Sequence, residues 1–267
     1  GIVFNITYQN PNAPEYPTGL YNMAPDGEDI LRMIPWEWSL GVDPTYDYFT
    51  GGYALSPDGE KVAFVLKKQN KKEYMVGDLT QLWVVDRYGS NLTLLESYDL
   101  TKGYTQIFDP KWSSNGEYIS YSTYTTSWYT TVDLWIAKHD GTGKTKIDTI
   151  ADGAVSDVRW SPDANKIVYI VGFNDANGDY IIKVRVSDIS GNATDLFDVN
   201  YTRYGAYVVG IEWLNNQELS LVESDLRYGR KLWFVDADGN GNRIKLSDNM
   251  YEFSISPDKS SIAFTEE

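Results

Sequence analysis

The segment Trp160-Ser-Pro-Asp-Ala164, followed by Lys166-Ile-Val-Tyr169, is the strongest indication of the fold in this sequence. An aromatic residue ends one short stretch, a tight turn follows, and a second stretch of alternating apolar residues begins. Proline presets φ at the first corner of such a turn, and an aspartate side chain bonds to the nearby backbone. The segment therefore predicts two antiparallel strands joined by a short hairpin, each strand with one buried face.

The same hairpin recurs along the chain, so an internal repeat is the main signal. The related turns are Leu55-Ser-Pro-Asp-Gly59, Trp112-Ser-Ser-Asn-Gly116, Trp213-Leu-Asn-Asn-Gln217 and Ile255-Ser-Pro-Asp-Lys259. A third strand and a second turn follow in four units, at Leu82-Trp-Val-Val-Asp86, Leu134-Trp-Ile-Ala-Lys-His-Asp140, Ile182-Lys-Val-Arg-Val-Ser-Asp188 and Leu232-Trp-Phe-Val-Asp236. Ser56, Ser113 and Ser161 lie 57 and 48 residues apart, which suits a four-stranded propeller blade.

These motifs resemble the PD40 repeat of TolB-like β-propellers. The resemblance rests on the W-S-P-D-G turn, on the strand Ile262-Ala-Phe264, and on the pattern L-W-x-x-D-x-D-G at Leu232–Gly239. The resemblance covers residues from about 50 to 267. The repeats are also similar to those in the propeller domains of prolyl-oligopeptidase-type proteases. The resemblance implies an all-β chain of four-stranded antiparallel blades, and the TolB likeness implies six of them. Nothing matches the α/β domain of TolB, so functions tied to that domain do not carry over.

The blade count stays open at five or six. The N-terminal stretches Ile2–Phe4, Leu20–Gly27 and Ile30–Met33 fit the second, third and fourth strands of a blade, and residues 251–265 supply two more strands at the C-terminus. The inventory is 21 strands, where five blades need 20 and six need 24. We expect residues 1–267 to form one propeller domain whose ring closes by pairing of the N- and C-terminal strands, which would cover both edges. The alternative is a piece of a longer chain.

Charge and composition exclude several classes of function. The chain has 23 Lys and Arg against 38 Asp and Glu, a net charge of -15, which disfavours nucleic acid and anionic membranes as partners. No apolar run approaches the length that spans a bilayer, and no signal peptide is visible because the chain starts on a strand-like segment. Cysteine is absent, which excludes disulfides and thiolate sites.

Aromatic residues in the irregular connections are the candidate partner-binding residues. They are Trp36, Trp38, Tyr46, Tyr48, Tyr124, Trp128, Tyr129 and Tyr204. Tyrosine and tryptophan in loops bury much area at low entropic cost, so they suit a recognition surface for a protein or a glycan. The alternative is that these rings pack between blades. The repeat tryptophans, by contrast, are predicted to be core.

Metal binding and catalysis have weaker signals. Asp175, Asn177 and Asp179 alternate oxygen ligands in a loop, a pattern that suits Ca²⁺. His139, the single histidine, is predicted to be a turn residue. No G-x-S-x-G elbow or histidine cluster is present, so no catalytic residue is nominated.

We therefore expect a non-catalytic propeller that binds a protein or glycan partner and is extracellular, at the cell surface or periplasmic. Four N-x-[ST] sequons favour export, and two of them, at Asn91 and Asn192, fall on blade turns as candidate glycosylation sites. The alternatives are the propeller domain of a hydrolase or lyase, and a subunit of a surface layer or extracellular filament.

Overall fold

The computed structural model describes residues 2–6, 19–33, 46–70, 77–126, 130–199, 206–225, 229–240 and 243–266. The described residues form strands and turns without a helix, and the strands are arranged in antiparallel sheets. The chain divides into two compact units, residues 1–146 and 147–267. The prediction of one domain with a closed ring stays a prediction, and each unit is described by itself.

The first unit contains three sheets in which each strand pairs with its neighbour in sequence. The first sheet comprises β1 (Ile2–Ile6), β2 (Gly19–Met23) and β3 (Leu31–Arg32). The second comprises β4 (Tyr46–Leu55), β5 (Lys61–Asn70), β6 (Gly77–Asp86) and β7 (Thr93–Asp99). The third comprises β8 (Tyr104–Trp112), β9 (Tyr118–Thr126), β10 (Thr130–Lys138) and β11 (Thr145–Ala151), within which the first unit ends.

The second unit continues the same four-stranded pattern. One sheet comprises β12 (Gly153–Trp160), β13 (Lys166–Asn174), β14 (Tyr180–Asp188) and β15 (Ala193–Val199). The other comprises β16 (Ala206–Trp213), β17 (Glu218–Asp225), β18 (Gly229–Asp236), β19 (Arg243–Ile255) and β20 (Ile262–Glu266). The long strand β19 pairs with β18 through its first half and with β20 through its second, so it serves as the outer strand of one blade and the first strand of the next. The four-stranded blades that the repeat predicts are confirmed.

The hairpin between the first and second strands is held by its serine and aspartate. Ser161 Oγ donates to Asp163 Oδ1 at 2.6 Å and accepts from the backbone N–H of Lys166 at 3.0 Å. The hydrogen bond from Ser161 holds the pKa of Asp163 below its usual range, with the backbone N–H of Asn165 adding to the effect. Ser56 and Asp58 repeat the arrangement at 2.6 Å. The motif thus builds the turn from its own side chains.

The last position of this turn requires a positive φ. Gly59 has φ 74°, and Ala164 occupies the same place in its own blade at 58°. Glycine meets this requirement without a steric penalty, whereas alanine is strained there. This explains why glycine recurs in the repeat, although three of the five copies have Ala164, Gln217 or Lys259 there instead.

The core lies between neighbouring sheets, which corrects the expectation of one buried face per strand. Val62, Phe64 and Leu66 of β5 pack with Leu20 and Met33 of the first sheet. Ala63 and Val65, on the other face of β5, pack in the cluster that contains Ile107 and Tyr121 of the third sheet. A middle strand is therefore apolar on both faces and reads as a near-continuous hydrophobic run. The hairpin motif alone did not reveal this stacking.

Candidate functional site

Each blade has two different ends. One end carries the Ser-Pro-Asp turns and the turns after the third strands, and the opposite end carries the hairpins between second and third strands and the links from blade to blade. We call the latter the connection end of a blade. In the first unit it holds the first residues of β4 and β8 and the last residues of β5 and β9. Three of the eight predicted binding residues lie there within described strands.

These three residues lie in strands rather than in loops, which corrects their predicted placement. Tyr46 and Tyr48 belong to β4, where they pair with Asn70 and Lys68 of β5. Tyr124 belongs to β9, where it pairs with Gln106 of β8. Threonine and tyrosine have high strand propensity, so the ladders extend further toward the connection end than the turn signals suggested.

The remaining predicted binding residues lie outside the described residues. They are Trp36, Trp38, Trp128, Tyr129 and Tyr204. Their role in binding stays a prediction.

A lysine that the sequence analysis did not nominate lies at the same end. Lys67 Nζ donates to Gln106 Oε1 at 3.2 Å and lies 4.5 Å from the centroid of the Phe108 ring. Gln106 Nε2 in turn donates to the hydroxyl of Tyr104 at 2.7 Å. We call Lys67, Tyr104, Gln106 and Phe108 the Lys67 cluster. It combines a cation, a phenol, an amide and a ring on two neighbouring blades.

The charge of Lys67 has no carboxylate partner among the side chains that the structure describes. None of those Asp and Glu side chains forms an ion pair with Lys67, whereas Lys61 pairs with Asp86 at 2.6 Å. Burial lowers the pKa of Lys67, because removal from water disfavours the charged form. A half-buried ammonium with neutral partners is unusual in a chain of net charge -15. The signal that could have suggested it is the pair Lys67-Lys68 directly after the apolar run Val62–Leu66.

Tyr121, three residues before Tyr124 in β9, belongs to the core. Its hydroxyl donates to Glu96 Oε2 at 3.1 Å, and Glu96 also pairs with Lys144. Burial is the main cause that raises the pKa of Tyr121 far above its ordinary value, and the charge of Glu96 adds to it. Tyr121 is therefore a structural residue between two blades.

The repeat tryptophans divide into two groups. Trp112, Trp160 and Trp213, at the ends of first strands, are buried as predicted. Trp83, Trp135 and Trp233, on third strands, are only half-buried and pack against the edges of the core clusters. Lys144 lies 4.3 Å and Lys146 4.9 Å from the centroid of the Trp135 ring, so basic side chains cover its exposed face.

The predicted calcium loop forms a turn that is closed by its own hydrogen bonds. Asp175 Oδ1 accepts from the backbone N–H groups of Asn177 at 2.8 Å and Asp179 at 2.9 Å. These bonds lower the pKa of Asp175. In the described part of the chain, no group of three or more His, Asp or Glu side chains is placed to hold a metal ion. Calcium binding stays a prediction.

The two candidate glycosylation sites are exposed turn residues. Asn91 Nδ2 donates to Asp86 Oδ2 at 2.5 Å, and Asn192 Nδ2 donates to Asp188 Oδ2 at 2.7 Å. Both amides therefore stabilise the turn after a third strand. Attachment of a glycan would use the nitrogen that makes this bond, so glycosylation stays a prediction.

The single histidine is a turn residue, as predicted. His139 follows β10, and its ring centroid lies 6.1 Å from that of Trp112.

Comparison with solved structures agrees with the sheet topology. The propeller domain of the Trilobed protease from Pyrococcus furiosus matches 99% of this chain and 73% of that one, with a TM-score of 0.56 and 14% identity. The chain has a β-propeller fold. This confirms the fold that the PD40 motif predicted.

Two longer chains of known structure are also similar to this one. A puromycin hydrolase mutant matches 88% of this chain with a TM-score of 0.58 and 16% identity, and the tricorn protease matches 93% with a TM-score of 0.53 and 10% identity. This propeller spans only 36% and 26% of the lengths of those two chains. Identity at this level shows the fold alone.

Sequence comparisons add one partial match. The family of eukaryotic translation initiation factor eIF2A matches residues 104–207, less than half of the propeller. No curated protein sequence matches it significantly. No helix among the described residues has the length and apolar character needed to cross a bilayer.

Proposed function

We propose that this propeller is a non-catalytic binding module that takes a protein or glycan partner at the connection end of its blades, outside the cytoplasm. The Lys67 cluster is the observation that carries the proposal. It gathers a cation that has no carboxylate partner among the described side chains and a ring that is 39% exposed, at the connection end where Tyr124 also lies. Aromatic and cationic groups around a partly desolvated centre are typical of protein interfaces.

The composition of the chain supports a binding role over catalysis. The chain has no cysteine and one histidine, and that histidine lies in the turn beside Trp112. In propellers, variable residues at the strand ends carry function, while the repeated residues build the blades. The Lys67 cluster consists of residues that do not recur at matching positions of the repeat, as a functional site requires.

The test is direct binding to immobilised peptide and glycan arrays. We expect the purified chain to bind a subset of spots, and Phe108→Ala to weaken binding to those spots about tenfold, the usual effect of losing an interface aromatic. Tyr88→Ala is the matched control, because Tyr88 is 64% exposed on a turn at the opposite end of its blade. Both variants should keep the unfolding midpoint of the parent chain. Equal affinities of the parent chain and Phe108→Ala, or no binding on either array, would reject the proposal.

A second candidate function is that of a propeller domain within a peptidase. The similarity to the Trilobed protease propeller favours this function. It is also favoured because this propeller covers only part of the puromycin hydrolase and tricorn protease chains. The open reading frame that encodes the chain tests this idea. A hydrolase domain with a G-x-S-x-G elbow in the same frame supports it, and a frame that encodes only propeller repeats rejects it.

A further inference from the structure

We propose that the Lys67 cluster binds a carboxylate group on an acidic peptide segment of the protein partner. This inference rests on the proposed binding role of the connection end and names the chemistry that the site recognises. It follows from the hydrogen bonds that the cluster leaves unused, from its charge, and from the ring beside the lysine.

The cluster holds two donors that the described side chains leave available to a ligand. A lysine ammonium has three N–H donors, and the described contacts of Lys67 are one hydrogen bond, to Gln106, and one face of Phe108. The hydroxyl oxygen of Tyr104 accepts from Gln106 Nε2, so its own O–H is available to donate. One amide group bridges the two donors and fixes both. Both donors contact the same amide group, and a carboxylate offers two oxygens to accept from them.

Gln106 fixes the orientation of the two donors. Its Oε1 accepts from Lys67 and its Nε2 donates to Tyr104, so neither end of the amide can rotate without losing a bond. Gln106 pairs with Tyr124 in the ladder between β8 and β9, and Thr105 and Thr125 are joined through their hydroxyl oxygens at 3.0 Å beside it. The donors are therefore held on a rigid sheet, which lowers the entropic cost of binding.

The charge around the cluster selects an anion of small size. Burial without a neutralising carboxylate leaves the charge of Lys67 less screened than that of a surface lysine. The net charge of -15 repels polyanions at long range, whereas a single carboxylate within a mixed sequence meets Lys67 at short range. This argues against nucleic acid and for an isolated acidic side chain.

The ring of Phe108 favours a peptide over a sugar. Sugar recognition requires an open ring face for stacking, and the ammonium of Lys67 lies over one face of Phe108 at 4.5 Å. The exposed part of Phe108 instead suits an apolar side chain next to the acidic one. A short footprint with one carboxylate and one apolar neighbour is a feature of peptides.

The experiment uses pairs of peptides that differ only by Glu and Gln. Acidic decapeptides with one Glu flanked by apolar residues, and their Gln counterparts, are titrated into the full chain by fluorescence polarisation. We expect the Glu peptides that bind to do so at least about tenfold more tightly than their Gln partners, as for a hydrogen-bonded charge pair. Lys67→Met should remove this difference, and Lys67→Arg should restore most of it.

Matched variants separate the site from general charge. Lys102→Met removes the same charge at an exposed position, where Lys102 pairs with Asp99 at 3.1 Å, and should leave the Glu preference unchanged. Gln106→Ala should weaken the preference without removing it, because it releases the two donors from their fixed orientation. All variants are compared by urea unfolding, so that a loss of fold is not read as a loss of binding.

The outcomes distinguish this inference from the proposed function. Equal affinity of Glu and Gln peptides, with binding still lost in Phe108→Ala, overturns the carboxylate inference and keeps the binding face. Binding of a uronic acid oligosaccharide that depends on Lys67, without peptide binding, overturns the peptide source. No binding of peptides or oligosaccharides overturns both. A Glu preference that survives Lys67→Met places the carboxylate elsewhere and also rejects the inference.

Discussion

Trp213 Nε1 donates to the carbonyl oxygen of Arg159 at 3.1 Å, across 54 residues of sequence. Trp213 ends the first strand of one blade, and Arg159 is the last residue but one in the first strand of the blade before it. Trp112 makes the equivalent bond to Ala54 at 2.9 Å. The recurring tryptophan therefore links successive blades within each unit. This bond gives the tryptophan at the end of the first strand a structural role.

Replacement of Trp213 by phenylalanine tests this link. The carbonyl of Arg159 loses its hydrogen-bond donor and the core loses volume. We therefore expect a destabilisation of about 1–3 kcal/mol. Urea unfolding measures the change. Tyr207→Phe on the same strand is the control, since Tyr207 is 42% exposed and should change the stability little. Equal destabilisation by both variants would show that the indole bond is unimportant.

Buried tyrosines predict a loss of stability at high pH. Burial, with the charge of Glu96, raises the pKa of Tyr98 to about 12, and burial and Asp148 raise that of Tyr169. An unfolded tyrosine titrates near pH 10, so the folded state holds more protons between pH 10 and 12. Stability from these groups is complete below pH 10 and falls as the pH rises through that window.

The measurement is urea unfolding at pH 9, 10, 11 and 11.5. We expect a falling free energy of unfolding, and a shallower fall in Tyr98→Phe, which has no phenol to titrate. Tyr88→Phe, at an exposed turn, should keep the slope of the parent chain. If Tyr98→Phe leaves the slope of the free energy of unfolding against pH unchanged, titration of Tyr98 does not cause the loss of stability.

The blades could be predicted from the sequence because their signals are local. The turn that begins at Ser161 is built by Asp163 and Lys166, all within five residues. First strands end at Leu55, Trp112 and Trp160, as the motif indicates. Turn chemistry of this kind does not depend on the rest of the fold, so each copy of the repeat could be recognised by itself.

The Lys67 cluster could not be predicted, because it depends on a contact between blades. Lys67 and Gln106 are 39 residues apart, and neither occupies a repeated motif position. Arg185 shows the same limit. It stands where other third strands have tryptophan, and it pairs with Asp148 at 2.9 Å and with Asp195 at 2.6 Å. Side chains that meet across sheets follow from packing and register, which one sequence does not reveal.

The serine of the repeat turn predicts a measurable contribution to stability. Ser161 is fully buried, donates to Asp163 and accepts from the N–H of Lys166. Ser161→Ala removes one hydrogen-bond partner from Asp163 and one from the N–H of Lys166. We therefore expect the free energy of unfolding in urea to fall by about 1–2 kcal/mol. Ser190→Ala, at an exposed turn of the same blade, should stay within about 0.5 kcal/mol of the parent chain. A loss as small as that of Ser190→Ala would show that the backbone alone forms the turn.

Gly153 lies where the neighbouring backbone leaves no room for a Cβ. It begins β12 and pairs with Phe173, and a Cβ added there would fall against the carbonyl oxygen of Gly172 and the Cγ2 of Ile150. Backbone atoms cannot move aside as a flexible side chain can, so Gly153→Ala should cost roughly 1–3 kcal/mol, as overpacking does. Gly103→Ala is the matched control, because nothing lies within 4 Å of its added Cβ. Urea unfolding should separate the two variants clearly, and equal midpoints would mean that β12 shifts freely to admit the methyl group.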